Sequence, residues 1–131
     1  MFLEIKHEAF RMGMETFYPL GYPMPDIFHS HICPDGKTFQ FAWDRDKDEI
    51  NGEKHDVTFI QAVEAFCDPK RIIRHDKKHS TRVEMRFFLL GKVKDGSVLT
   101  VRYTRRDEYI RIIGAGSWHE GQAQYYNSNR A

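Results

Sequence analysis

Four strand-like stretches crowd residues 71–115: "RIIRH", "VEMRFFLLGKV", "SVLTVRYTR" and "EYIRIIGA". Each is rich in β-branched and aromatic residues, which suit a pleated, half-buried surface. The gaps between them are shorter than the dozen or so residues a parallel crossover needs. Lys94-Asp95-Gly96 reads as a hairpin turn, and Arg106-Asp107 joins the last two strands. An antiparallel sheet is therefore the expected centre of the fold.

Helical patterns flank this sheet. "FQFAW" suits a short strand, after which Asp44 is the expected N-cap of a polar helix through "DRDKDEINGEKH". In "VTFIQAVEAF", Thr58 and Gln61 have capping-box spacing, and Val57 with Ala62 has the spacing of a hydrophobic staple. Asp68-Pro69 ends that helix. A second capping box, Ser117 and Glu120, opens a last helix. The order predicts an α+β fold, an antiparallel sheet with two helices before the main strands and one C-terminal helix.

Residues 1–38 read differently. The first seventeen fit a helix or a strand followed by a loop. "YPLGYPMPDIFHSHICPDGKT" is rich in Pro and Gly and reads as a long loop. This divides the chain into an N-terminal extension, residues 1–38, and a domain, residues 39–131. The extension has a charge of −2 and many large apolar residues, too many for a solvated tail. It is expected to pack on the domain or across an oligomer contact, or to cover the domain's cationic surface.

Composition narrows the classes. With 40% apolar and 30% charged residues, the 131-residue chain should form one globular domain. No apolar run approaches the roughly 18 residues of a membrane span. "MFLEIKHEAF" does not have the form of a signal peptide. Cys33 and Cys67 are too few for a disulfide framework, so a reduced, cytoplasmic protein is the default. Net charge is only +1, yet Lys70 to Arg111 holds thirteen cations and five anions, a net +8. That asymmetry suggests a polyanionic partner such as RNA or an acidic protein, or else a solvated sheet face.

"RIIGAGSW" invites a dinucleotide-binding reading, since an apolar run leads into Gly114-Ala115-Gly116. The third glycine of that fingerprint would fall at His119, and too little chain follows for the crossover and the ribose-binding acid. The reading fails.

Residues 41 to about 126 carry a more specific set in order: Phe41-Ala42-Trp43-Asp44 with Lys47, then Asn51, then Lys54-His55-Asp56-Val57-Thr58-Phe59. Ala62, Phe66-Cys67-Asp68, His79-Ser80, Glu84-Met85-Arg86 and Gly91 follow. Leu99-Thr100-Val101, Tyr103-Thr104, Ile110-Arg111-Ile112-Ile113 and Tyr126 complete it. On these residues the chain resembles the BrnT family, toxins of a bacterial type II toxin–antitoxin system. The resemblance implies a RelE-like ribonuclease fold, RNA cleavage without a metal or other cofactor, inhibition of translation, and neutralisation by a BrnA-like antitoxin. It offers no guide to residues 1–38. The family's last strand usually ends in Ser-Ala-Arg, so Gly116 replaces the family arginine. A usual Glu-Arg pair in the next helix becomes Gln122-Ala123. These departures imply weakened catalysis or, as the alternative, a catalytically degraded binding or regulatory module.

Metal-free RNA cleavage needs a base for the 2′-hydroxyl proton, an acid for the leaving 5′-oxygen and cations for the phosphorane. Histidine titrates near neutral pH, so His55 is a candidate base or acid; otherwise it caps the join between two helices. Glu84 and Arg86, two apart in a strand pattern, share a face. They suit a base and phosphate clamp, or a structural ion pair. Arg111 lies inside an apolar strand, where a cation needs a partner or a ligand. Lys47, in a first helical turn, suits a phosphate contact or is an ordinary exposed lysine. The expected catalytic set is Lys47, His55, Glu84, Arg86 and Arg111. A minority reading is zinc held by His29, His31 and Cys33, with Cys67, His75 or His79 as fourth ligand.

Overall fold

A computed structural model describes residues 26–130. The proposed helix or strand in the first seventeen residues, and the apolar residues up to Leu20, lie outside that range. The elements are β1 (Ile27–Ile32), β2 (Thr38–Trp43), α1 (Arg45–His55), α2 (Phe59–Val63) continued by a 3-10 turn (Glu64–Cys67), β3 (Ile72–His75), β4 (Arg86–Lys92), β5 (Val98–Arg106), β6 (Tyr109–Gly116) and α3 (His119–Ser128). One six-stranded sheet has the order β1-β2-β6-β5-β4-β3.

The α+β class is as expected, and the sheet is antiparallel at every pairing but one. β2 runs parallel to β6, paired only at Phe41–Ile110 and Ala42–Arg111. The chain then leaves the sheet into α1, and β6 continues without a strand neighbour on that side. Asn51, the one buried residue of α1, takes over there. Its side-chain oxygen accepts from the Ala115 amide at 3.1 Å, and its nitrogen donates to the carbonyls of Ala115 and Val57, both at 2.8 Å. One side chain satisfies backbone groups that a strand would otherwise pair.

The local signals explain the helix starts. Asp44 caps α1 by accepting from the amides of Asp46 and Lys47. Thr58 and Gln61 form the predicted capping box on α2. Asp48 links the two helices by accepting from the Phe59 amide at 2.8 Å. The predicted box at Ser117 and Glu120 is not formed. Trp118 is the N-cap of α3, with no side-chain cap; the Ser117 hydroxyl accepts instead from the Gln122 side-chain amide at 2.8 Å and donates to the Val98 carbonyl.

Two expectations about the N-terminal stretch are corrected. Residues 27–32, read as loop, form β1 along the edge of β2, from Ile27–Trp43 to Ile32–Thr38. The chain thereby places Cys33 beside Cys67, and the two sulfurs are bonded rather than free. No metal-ligand group of His, Cys, Asp and Glu is found among the described residues, and the sulfurs of the zinc reading are occupied by each other.

The main core lies on one side of the sheet. Phe41 and Trp43 of β2, Leu89 of β4, Val101 and Tyr103 of β5 and Ile110 and Ile112 of β6 pack under Phe59, Val63 and Phe66. Gly91 lets the 3-10 turn approach, since a Cβ there would overlap the Ala65 carbonyl. A smaller cluster on the other side, Leu90, Val98 and Tyr125, seats α3 at one end and leaves the rest of that face open. No helix of the described residues is long and apolar enough to cross a membrane.

Candidate active site

Register decides what the open face presents. Thr104 of β5 is opposite Arg86 of β4 and opposite Arg111 of β6. Directly paired residues share a face. Arg86 and Arg111 therefore stand on the same side, two strands or about 10 Å apart by ordinary strand spacing. Arg102 lies on that side too, opposite Phe88 and Gly114. A bulge at Arg102/Tyr103 leaves Ile113 as the extra residue between the Ile112 and Gly114 pairings.

Glu84 precedes β4 rather than lying in it. A turn holds it: the Glu84 amide donates to Thr81 Oγ1 at 3.0 Å, and the Thr81 amide donates to the Glu84 carbonyl at 2.8 Å. Thr104, which is 1% exposed, donates its hydroxyl to the Met85 carbonyl at 2.7 Å and fastens this turn to β5. Ser80 fastens the other side by accepting from the Arg86 amide at 2.9 Å and donating to the Asp76 carbonyl at 2.7 Å. The carboxylate is thus presented to two guanidiniums: Arg86 Nε donates at 3.0 Å and Arg106 at 2.9 Å. Arg106 and then Arg86, by hydrogen bonding to the ionised form, hold the Glu84 carboxyl below its ordinary range. A carboxylate held this way is a weak proton acceptor and a strong orienter of cations.

Arg111 is also paired, with a residue from the N-terminal stretch. Its two terminal nitrogens donate to the two oxygens of Asp26 at 2.8 and 3.1 Å. This fork geometry is the one a guanidinium offers a phosphate.

Lys47, Asn51 and His55 are spaced four apart and fall on one stripe of α1. The Asn51 bonds to Ala115 turn that stripe toward β6. Lys47 is exposed near the start, and His55 is exposed at the end. The His55 ring meets Trp118 edge-on, with centroids 5.0 Å apart. Glu84 and Arg86 are in contact, then, and Arg111 shares their face. His55 instead meets Trp118, and among the described residues no hydrogen bond or ion pair joins it to the other three.

Ser80 and Thr104 belong to the family-like set but were given no site role, and Arg102, Arg106 and Asp26 were not singled out at all. Arg102, Thr104 and Arg106 alternate along β5 with Arg86's parity, a signal that could have found them. Asp26 is 85 residues from its partner, and no local pattern announces it. Gly116, where the sequence departs from the family pattern, lies beneath Trp118: a Cβ there would come within 2.5 Å of the indole.

A family model described as "Ribonuclease toxin, BrnT, of type II toxin-antitoxin system" matches residues 43–121. The match runs from the end of β2 into the first turn of α3 and includes all five candidate residues. No curated protein matches the chain.

Proposed function

The chain belongs to the BrnT family of ribonuclease toxins of type II toxin–antitoxin systems, and from this premise we propose a metal-independent endoribonuclease on a RelE-like fold. It cuts RNA in the cytoplasm, inhibits translation and is neutralised by a BrnA-like antitoxin. The observation that carries this reading is the Glu84–Arg86–Arg106 cluster beside Arg111 on an open, cationic face.

In the proposed reaction the 2′-oxygen attacks the adjacent phosphorus, its proton passes to a base, and the 5′-oxygen leaves with a proton from an acid. Arg86 and Arg111 hold the charge that develops on the non-bridging oxygens. Glu84 fixes Arg86 and Arg106. His55 is the imidazole assigned to proton transfer, and Lys47 holds a flanking phosphate. Residues 39–131 form the toxin unit, and residues 1–38 are an extension whose Asp26 occupies Arg111.

One observation favours the alternative, a degraded family member that binds without cutting. The Trp118 indole covers Gly116, so no cation stands there. Assaying the purified protein on RNA in excess chelator separates the readings, with Glu84→Ala and Arg86→Ala as controls. The nuclease reading expects cleavage that survives chelation and falls in both variants. RNA binding that weakens with salt but yields no product supports the binding module. Affinity flat in salt counts against both.

A further inference from the structure

We propose that Trp118 and the groove beside it form a subsite for one unpaired nucleobase of single-stranded RNA; this rests on the ribonuclease reading above. The two tryptophans are treated differently by the fold. Trp43 is 3% exposed in the core, whereas Trp118 is 40% exposed on the open face. Trp118 is also held in place. Gly116 lies under the indole, with room for no side chain of its own, and the His55 ring braces its edge. Phe88, Leu90 and Thr100 of the sheet, with Gly121 and Gln124 of α3, line the groove that the indole borders.

The surroundings identify the occupant. Arg102 is the register neighbour of Phe88, and its guanidinium nitrogens stand 3.5 and 3.6 Å from where a Gly114 Cβ would be. Arg102 makes no hydrogen bond or ion pair among the described residues. Arg86 and Arg111 continue the cationic face one register step away, two residues along β4 from Phe88. A planar aromatic wall beside a line of guanidiniums matches the alternation of base and phosphate in a single strand, where bases stack on aromatic side chains and cations follow the backbone. Glu120, also on the groove, repels a phosphate but accepts from a base's exocyclic amine. The aromatic end therefore takes the base, and Arg102 takes the neighbouring phosphate.

The test uses the full chain and an uncleavable 2′-O-methyl oligonucleotide, with affinity read by fluorescence anisotropy. Trp118→Ala should weaken binding roughly 5- to 150-fold, the range for loss of one stacked base. Trp118→Phe should keep most of the affinity, and Gly116→Ala, which displaces the indole, should weaken it. An oligonucleotide with an abasic site at the stacked position should bind wild type and Trp118→Ala alike. If Trp118→Ala binds as wild type does while Arg86→Ala binds more weakly, the protein is an RNA binder and the subsite is wrong. If neither wild type nor any variant binds RNA, both this inference and the ribonuclease reading fall.

Discussion

In β4, Phe87 and Leu89 point into a layer closed by α2 and the 3-10 turn, while Arg86 and Phe88 point to the face that α3 covers only at one end. The same alternation runs through β5, where Val101 and Tyr103 are buried and Arg102 and Arg106 are exposed. One face obeys volume: each side chain fills a space that no other group fills. The other obeys charge, and its groups are held by ion pairs that solvent reaches. Substitutions on the two faces should therefore fail in different ways.

The largest effect belongs to the closed face. Leu89 is fully buried, so Leu89→Ala should cost about 2.7–5 kcal/mol in denaturant unfolding. Activity per folded molecule should be unchanged. A loss below 1 kcal/mol would show that this layer is not the tight core described. On the open face, Arg86→Ala should lower cleavage roughly 10²–10³-fold, the usual result of removing a group that stabilises transition-state charge. Its unfolding midpoint should barely move, because the exposed pair with Glu84 stabilises by about 1 kcal/mol or less. A large stability loss with unchanged activity would make Arg86 structural and erase the contrast between the faces.

Asn51 sits where the two regimes meet. Asn51→Leu removes the partner of the Ala115 amide and should cost about 1–3 kcal/mol. Hydrogen exchange at Ala115 should rise selectively; if it stays protected, another group holds that edge.

Acid titration compares two carboxylates. Burial pushes the Asp68 carboxyl up, but hydrogen bonds from the Tyr125 hydroxyl and from the Lys92 and Lys70 amides outweigh it and leave the group below its ordinary value. Glu84 is also low, through Arg106 and Arg86. A depressed folded value stabilises fully above the unfolded pKa and is lost as pH falls through the folded one. Stability should thus decline on the acid side of the ordinary carboxylate range. Asp68→Asn should flatten that limb more than Glu84→Gln, because Asp68 also ties α3 to the rest of the fold through Tyr125. Equal flattening would contradict the ranking. The smallest effect is expected from Asp26→Asn. It should change stability by about 1 kcal/mol or less and raise RNA affinity by freeing Arg111. Lower affinity would mean that Asp26 positions Arg111 rather than blocking it.

Much of this was legible in the residues because the signals are local. The caps at Asp44 and Thr58 act over two or three residues, and the β4 and β5 alternation is a property of each strand alone. That alternation was enough to put Glu84 and Arg86 together, although Glu84 turned out to precede its strand. Locality also explains the misses. Ser117 and Glu120 have the spacing of a cap, but the hydroxyl donates to the Val98 carbonyl, 19 residues away, and accepts from the Gln122 side chain rather than from a helix amide.

By itself, then, the sequence determined the α+β class, the starts of α1 and α2, the hairpins and the pairing of Glu84 with Arg86. Those follow from backbone geometry and contacts a few residues long. The tertiary structure decided that β1 joins the sheet, that Cys33 meets Cys67, that β2 runs parallel to β6 and that Asn51 completes the edge. It also decided that Arg106 shares Glu84 with Arg86 and that Asp26 lies on Arg111. Each of these partners is chosen by the packing of segments distant in the chain, and neither periodicity nor local spacing carries that information.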